Sequence, residues 1–263
     1  MKNMSLDVLA FFAHPDDETM LCGGTLALLA KQGARVHILI ATRGEGGEMG
    51  EPPLCEREQL GQVRENEMRC AAQALGAASL TLMDYIDPTV GPGEELFSFT
   101  DEVDALTAQV SEAIRYRKAA ALFAHGVNGE YGHPAHKMVY EAAWRAVEAL
   151  GDQAPLFYTT QAAFPEHPYP RLANVDAPAH MIFNIEPVLA QKVSAAMCHR
   201  TQHALFIRRQ SEEAGRKLTV PEVIHPVESL HRVWPPVSGS DRVQDALADL
   251  LWASGFARLP ANE

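Results

Sequence analysis

Apolar and polar positions change period repeatedly along this chain, and the changes mark out its elements. "DVLAFFA" (7–13) is apolar without a break from Val8 to Ala13, which suits a strand buried on both faces. From Thr19 to Gln32, Leu21, Leu26, Leu28, Leu29 and Ala30 follow a helix-like pattern that stops at Gly33. "RVHILIAT" (35–42) is rich in β-branched residues and predicts a second strand. A loop bearing glycine and proline runs through Pro53, then a helix is predicted from about Glu56 to Leu75, stopped by Gly76. "SLTLMD" (79–84) predicts a third strand, 101–117 a helix, "AAALFAH" (119–125) a fourth strand, and Pro134 to Leu150 another helix.

Strands alternating with helices of this length predict a parallel sheet with right-handed crossovers. The expected architecture is a Rossmann-like, parallel-sheet three-layer α/β sandwich with a C-terminal elaboration. After "PLFYTT" (155–160) the pattern loosens: 164–178 holds four prolines and reads as a long surface loop. A strand "HMIFNI" (180–185), a helix from Glu186 to about Gln210 and a tail rich in proline and charge are expected beyond it. One domain over 1–263 is the economical division, with a core of about 5–160 and an elaboration of about 161–263.

The 263 residues suffice to bury a sizeable core, and 47% hydrophobic against 21% charged residues is ordinary for a globular protein. The net charge of −12 argues against nucleic acid as a partner, since such binding needs basic stripes to displace counterions. Cys22, Cys55, Cys70 and Cys198 form no CxxC pair, so buried free thiols in a reducing compartment are expected. The early apolar run is too short for a signal core or membrane span, which predicts a cytoplasmic protein with no membrane span.

In open parallel sheets, ligands bind outside the carboxyl ends of the strands. Two polar clusters fall there: "HPDDE" (14–18) after the first strand and "HGVNGEYGHPAH" (125–136) after the fourth. Alone, the first could be an acidic turn or helix cap, and the second a pair of packing histidines. If those two strands are neighbours at the switch point, they offer His14, Asp16, Asp17, His133 and His136 to one crevice. Hydrolytic zinc takes three nitrogen or oxygen ligands and leaves a position for water, a count that His14, Asp17 and His136 meet. Pro134 suits the first turn of a helix, and His133 and His136, three apart, can then face one cavity. His37, inside the second strand, reads as a structural histidine.

"AHPDDE" and "HGVNGEYGHPAH", in this order and at roughly this separation, resemble the signatures of the LmbE-like (PIG-L) family of zinc-dependent N-deacetylases. "ATRGEGGEMG" (41–50), "RENEMRCAAQALG" (64–76) and "KVSAAMCHRTQ" (192–202) resemble further family segments, so the likeness spans residues 8 to about 205. The resemblance implies one zinc ion held by His14, Asp17 and His136, with Fe2+ compatible as another divalent metal. It implies Asp16 as general base, His133 as the residue that stabilises the oxyanion or protonates the leaving amine, and Arg64 and Asp87 against the sugar. The implied reaction is removal of an N-acyl group from a small amino-sugar substrate, by an enzyme for which a homo-oligomer is open. One departure stands out: Ala135 occupies the position where the family usually has Asp. A carboxylate there would raise and orient the free histidine, so His133 is expected to be less readily protonated unless an acid such as Glu130 substitutes.

Other classes fit less well. "GEGGEMG" (44–50) is glycine-rich after a strand but runs into Glu51, Pro52 and Pro53 instead of opening a helix, so it lacks the geometry of a dinucleotide loop. HExxH, HxE…PCxxC and GxSxG patterns are absent. A non-catalytic metal- or carbohydrate-binding protein is the serious rival, given Ala135, and Asp16 discriminates, since a binding module needs no spare acid beside its ligands. The loop 164–178 and the segment His225 to Pro236 could form a lid or an oligomer contact. Tyr131 and Trp234 could stack on a sugar, but core or surface packing is the better reading for either one.

Overall fold

The computed structural model describes residues 6–237 and 243–260. The first part of the chain runs β1 (Asp7–Phe12), α1 (Asp17–Lys31), β2 (Arg35–Thr42), α2 (Leu60–Ala74), β3 (Ser79–Tyr85), α3 (Val103–Arg117), β4 (Ala121–Ala124), α4 (Gly129–Gly132), α5 (Pro134–Leu150) and β5 (Leu156–Thr160). There follow β6 (Ala162–Ala163), β7 (Asn174–Pro178), β8 (Met181–Asn184), α6 (Leu189–Cys198), α7 (His203–Ala214), α8 (Val220–Val223), β9 (Val227–Trp234), α9 (Ala246–Ala253) and β10 (Ala257–Arg258).

Eight strands form one sheet in the order β10-β8-β9-β5-β4-β1-β2-β3, with β1 to β5 mutually parallel and β9 antiparallel to both β5 and β8. Alternation along β1 divides the core. Val8, Ala10 and Phe12 pack with residues of α1, α2, α6 and α9 on one face, and Leu9 and Phe11 with α3 and α5 on the other. Helices therefore cover both faces, as the Rossmann-like expectation requires. Because β1 sits between β2 and β4, the chain leaves it in opposite directions on its two sides. The crevice at this reversal is the standard ligand site of the topology. HPDDE leaves β1 and the His125–His136 segment leaves β4 at that point.

The later chain departs from the sequence reading. The helix expected from Glu186 to Gln210 is broken into α6 and α7 by an irregular turn at His199, whose ring is fully buried against Thr19. The C-terminal elaboration joins the main sheet: within His225–Pro236, β9 is an eight-residue strand inserted between β5 and β8. The proline-rich loop contributes β7, paired with β6. The expectation of free thiols is corrected at two of the four cysteines. Cys70 on α2 and Cys198 at the end of α6 form a disulfide, while Cys22 and Cys55 remain free. No described helix is long and apolar enough to cross a membrane.

Candidate active site

The turn between β1 and α1 carries the first cluster. Asp16 caps α1 at φ 120°, a backbone region that L-residues rarely adopt. Such strain costs on the order of 1–3 kcal/mol and persists only where surrounding contacts enforce it. Here Asp16 Oδ2 accepts from Arg64 Nη2 at 3.0 Å and its backbone N–H donates to Glu18 Oε2. Arg64, buried on α2, also donates to the carbonyls of Gly44 and Pro15. A Cβ on Gly44 would lie 2.2 Å from the guanidinium, so only glycine lets this loop close over Arg64.

Adjacent Asp17 lives in the opposite environment. It accepts the His14 backbone N–H at 2.8 Å, and the rings of His14 (3.2 Å), His125 (3.4 Å) and His136 (3.4 Å) surround it. Burial disfavours its charge, yet His136 and His125 hold its carboxyl well below the usual range. Asp16 is pushed up to about 6 by burial, with Arg64 opposing. His14 bridges two acids, with Nδ1 facing Asp17 and Nε2 3.2 Å from Asp87 Oδ1. Burial opposes the charged ring, but these carboxylates outweigh it and lift His14 to about 9.

The second cluster is organised by Glu130, at φ 56° in α4. Its Oε2 accepts from His125 Nδ1 (2.9 Å) and His136 Nδ1 (2.7 Å), and its Oε1 from the Gly126 N–H and Asn174 Nδ2. Glu130 therefore does not stand in for the acid missing at position 135, because it serves His125 and His136 instead of His133. His133 Nδ1 accepts the Ala135 N–H at 3.1 Å, which leaves the ring proton on Nε2. Burial and the neighbouring His136 and His14 push His133 down to about 3, so it is a neutral donor. Ala135 itself is fully buried in the apolar cluster with Phe11 and Val139.

Two sets of donors could hold an ion, His14–His133–His136 and Asp17–His125–His136, each with ligand atoms within 4.8 Å of one another. Hydrogen bonding separates the histidines. His125 Nε2 already accepts the Ala13 N–H at 3.1 Å, and a proton placed there for Asp17 would oppose that donor. His136 Nδ1 is committed to Glu130, while its buried Nε2 has no hydrogen-bond partner. An orphaned imidazole nitrogen facing a carboxylate is what a metal ligand presents. The residues fit a divalent ion, with the orphaned Nε2 of His136, common to both sets, as one nitrogen donor.

All seven candidate residues come together here. His14, Asp16, Asp17, Arg64, Asp87 and His133 line a cavity of about 540 Å³, and His136 lies behind it, its Nε2 3.4 Å from Asp17. Tyr131 reaches the cavity, but Trp234 packs edge-on against Trp144 and does not line it. His37 binds Asp7 and Ser79 and is structural. Sequence reasoning missed Asn174, which no local motif marks, and His125, whose signal was its place directly after β4. It also missed why "KVSAAMCHRTQ" matters. Lys192 pairs with buried Glu228 and donates to the Met20 carbonyl, and Gln202 donates to the Glu48 carbonyl, so this segment pins α1 and the cavity wall.

Fold and site define an α/β protein with a buried histidine–carboxylate centre at the sheet's reversal point. The PIG-L family, described as "GlcNAc-PI de-N-acetylase", matches residues 9–147, and the chain belongs to that family. It is 34% identical over 160 residues to a 1D-myo-inositol 2-acetamido-2-deoxy-alpha-D-glucopyranoside deacetylase of Geodermatophilus obscurus, covering 56% of this chain and 54% of that one. The match thus spans about half the length of that relative. A deacetylase of the same name from Rhodococcus jostii is 28% identical over 236 residues, covering 74% of this chain and 81% of that one. Among solved structures, the N,N'-diacetylchitobiose deacetylase of Pyrococcus horikoshii aligns with TM-score 0.59 at 16% identity over 87% of this chain and 84% of its own. The 4-carboxy-2-hydroxymuconate hydratase GalB of Pseudomonas putida aligns with TM-score 0.57 at 20% identity over 89% of this chain and 98% of its own. A hydratase and a deacetylase share this fold, so the reaction must be argued from the site.

Proposed function

We propose that the protein is a zinc-dependent hydrolase that removes an N-acetyl or other N-acyl group from a small amino-sugar-containing molecule. The observation that carries this reading is the division of labour between adjacent acids. Asp17 is locked among histidines, one of which, His136, presents a buried Nε2 without a hydrogen-bond partner that suits a metal, and Asp16 is held apart from them by Arg64 with its affinity for a proton raised. A zinc ion held by His14, Asp17 and His136 would supply Lewis acidity and a water whose pKa falls toward ~7.

The chain's own residues do the rest. Asp16 takes the proton of the attacking water and Arg64 fixes the direction of its carboxylate. Neutral His133, with its proton on Nε2, donates to the oxygen of the amide carbonyl as negative charge develops there, from a ring already oriented by the Ala135 N–H. Protonated Asp16 can then pass its proton to the departing amine. Asp87 and Arg64 lie on the wall where a sugar hydroxyl would approach. A non-catalytic binding role is the rival reading, but binding alone gives no reason for the strained backbone that sets Asp16 beside, and outside, the ligand set.

The test is elemental analysis of natively purified protein together with acetate release from N-acetylglucosamine glycosides. About one zinc per chain and metal-stimulated acetate release are expected. Neither metal nor acetate, across a panel of such glycosides, would overturn the proposal.

A further inference from the structure

Asp16 occupies the capping position of α1, yet its side chain does not cap. A capping residue ordinarily keeps an extended backbone and turns its side-chain oxygen onto the free N–H groups of the first helical turn. Asp16, at φ 120°, bonds none of them, and its carboxylate meets Arg64 instead. The carboxylate is thereby left for chemistry on a strained backbone, so the backbone must be held as well as the side chain. Its N–H is held by Glu18, whose Oε2 accepts it at 3.2 Å.

Glu18 is itself held from a distant part of the chain. Its Oε1 accepts the Thr19 hydroxyl at 2.5 Å, and Thr19 Oγ1 lies 3.3 Å from Nε2 of His199. A hydroxyl has one proton, and Thr19 gives it to Glu18, so it can only accept from His199, whose proton therefore sits on Nε2. The same Nε2 lies 3.6 Å from Glu18 Oε1. The other ring nitrogen, Nδ1, is buried and meets no hydrogen-bond partner among the described residues, so the ring's polar contacts run to Thr19 and Glu18. Glu18, Thr19 and His199 are all fully buried, and water does not compete for these bonds. The turn that carries His199 is fixed on both sides to α2, the helix of Arg64. Cys198, just before it, is bonded to Cys70, and Thr201, just beyond, donates its N–H (2.9 Å) and hydroxyl (2.7 Å) to Glu67. One frame thus grips Asp16 twice, by the carboxylate through Arg64 and by the backbone through Glu18.

Resting on the reading of Asp16 as the base, we infer that His199 is a positioning residue for it. Through Thr19 and Glu18, the ring keeps the Asp16 backbone in the conformation that places the carboxylate on the cavity wall beside Arg64. Packing alone accounts for a buried ring at the break between α6 and α7. It does not account for a donor aimed at the two side chains that end on the N–H of the strained residue.

The experiment joins two measurements on zinc-loaded protein: acetate release from N-acetylglucosamine glycosides, and hydrogen exchange of the Asp16 amide, followed by NMR with isotope-labelled aspartate. His199→Phe keeps a ring and removes the donor. Its kcat should fall about 10–100-fold while KM and zinc content stay within about twofold of wild type. Its Asp16 amide should exchange about tenfold faster or more. His199→Gln, which restores an N–H donor, should recover most of both losses. Combined with Asp16→Asn, His199→Phe should add little further loss, because its effect on turnover runs through Asp16. If the phenylalanine variant does not fold, Thr19→Val breaks the same chain at its middle and should show the same losses at smaller size. Unchanged kcat, unchanged Asp16 exchange, a glutamine variant as slow as the phenylalanine one, or an equal loss in the Asp16→Asn background would each overturn the inference and leave His199 to packing. Absence of acetate release from the wild-type protein strikes the deacetylase reading instead, and amide exchange then still decides whether His199 holds Asp16.

Discussion

On the cavity floor, His14, Asp16, Asp17, Arg64 and His133 are buried, and each is held by a named partner. At the mouth, Val90, Phe97, Tyr131 and Leu205 stand half in solvent. The floor is rigid because buried polar groups must be satisfied, and every bond that satisfies one also fixes an orientation. The mouth has no such obligation, so its side chains are free to be chosen for what they touch. The polar groups are thus committed where burial is deep, and apolar surface is left in solvent where it is partial.

The same contrast holds within the floor, between two neighbouring acids. Asp17 faces three imidazoles and stays ionised, whereas Asp16 faces one guanidinium across a desolvated wall and is pushed up to about 6. Carboxyls driven apart in this way suit different tasks, which is why Asp17 is proposed as a ligand and Asp16 as the base.

The sharpest way to break that distinction is Asp16→Asn. Turnover should fall by about 10²–10⁴-fold with zinc content unchanged, and undiminished activity would refute the base. The wild-type profile should agree. Asp16 must be deprotonated to act, burial opposed by Arg64 sets it near 6, and a bound cation lowers it, so the acidic limb of kcat/KM should lie at or below pH 6.

Glu130→Gln comes next. Glutamine cannot accept from His125, His136, Gly126 and Asn174 at once, so the His136 ring loses the bond that presents Nε2 to a metal. Zinc affinity, measured by chelator competition, should fall about 10–100-fold with the melting temperature of the metal-free protein changed far less. Unchanged affinity would remove Glu130 from the site's supports.

The smallest effect concerns Ala135. Because its methyl packs in the apolar cluster with Phe11 and Val139, Ala135→Asp should destabilise the protein by about 1–3 kcal/mol, read as a lower Tm. An unchanged Tm together with a shifted pH profile would show the new carboxylate reaching His133 instead.

Local pattern determined a good deal of this protein. The continuous apolar run of β1, the helix opening at Pro134, and the two histidine-bearing motifs at strand ends were legible because burial, capping and metal-ligand spacing are short-range constraints written in adjacent residues. The placement of β1 beside β4, and with it the meeting of His14, Asp17 and His136, was decided by the tertiary structure, because alternating strands and helices do not by themselves set strand order. The break at His199, the strand β9 within an apparently loose tail, the Cys70–Cys198 bond and the Asn174 support for Glu130 were not legible. Each depends on a partner 44 or more positions away, or on which sheet edge remains open after the first five strands have packed. The same is true of the apolar mouth. Val90, Phe97, Tyr131 and Leu205 look like stray surface hydrophobics along the chain, and only tertiary packing draws three distant segments around one opening.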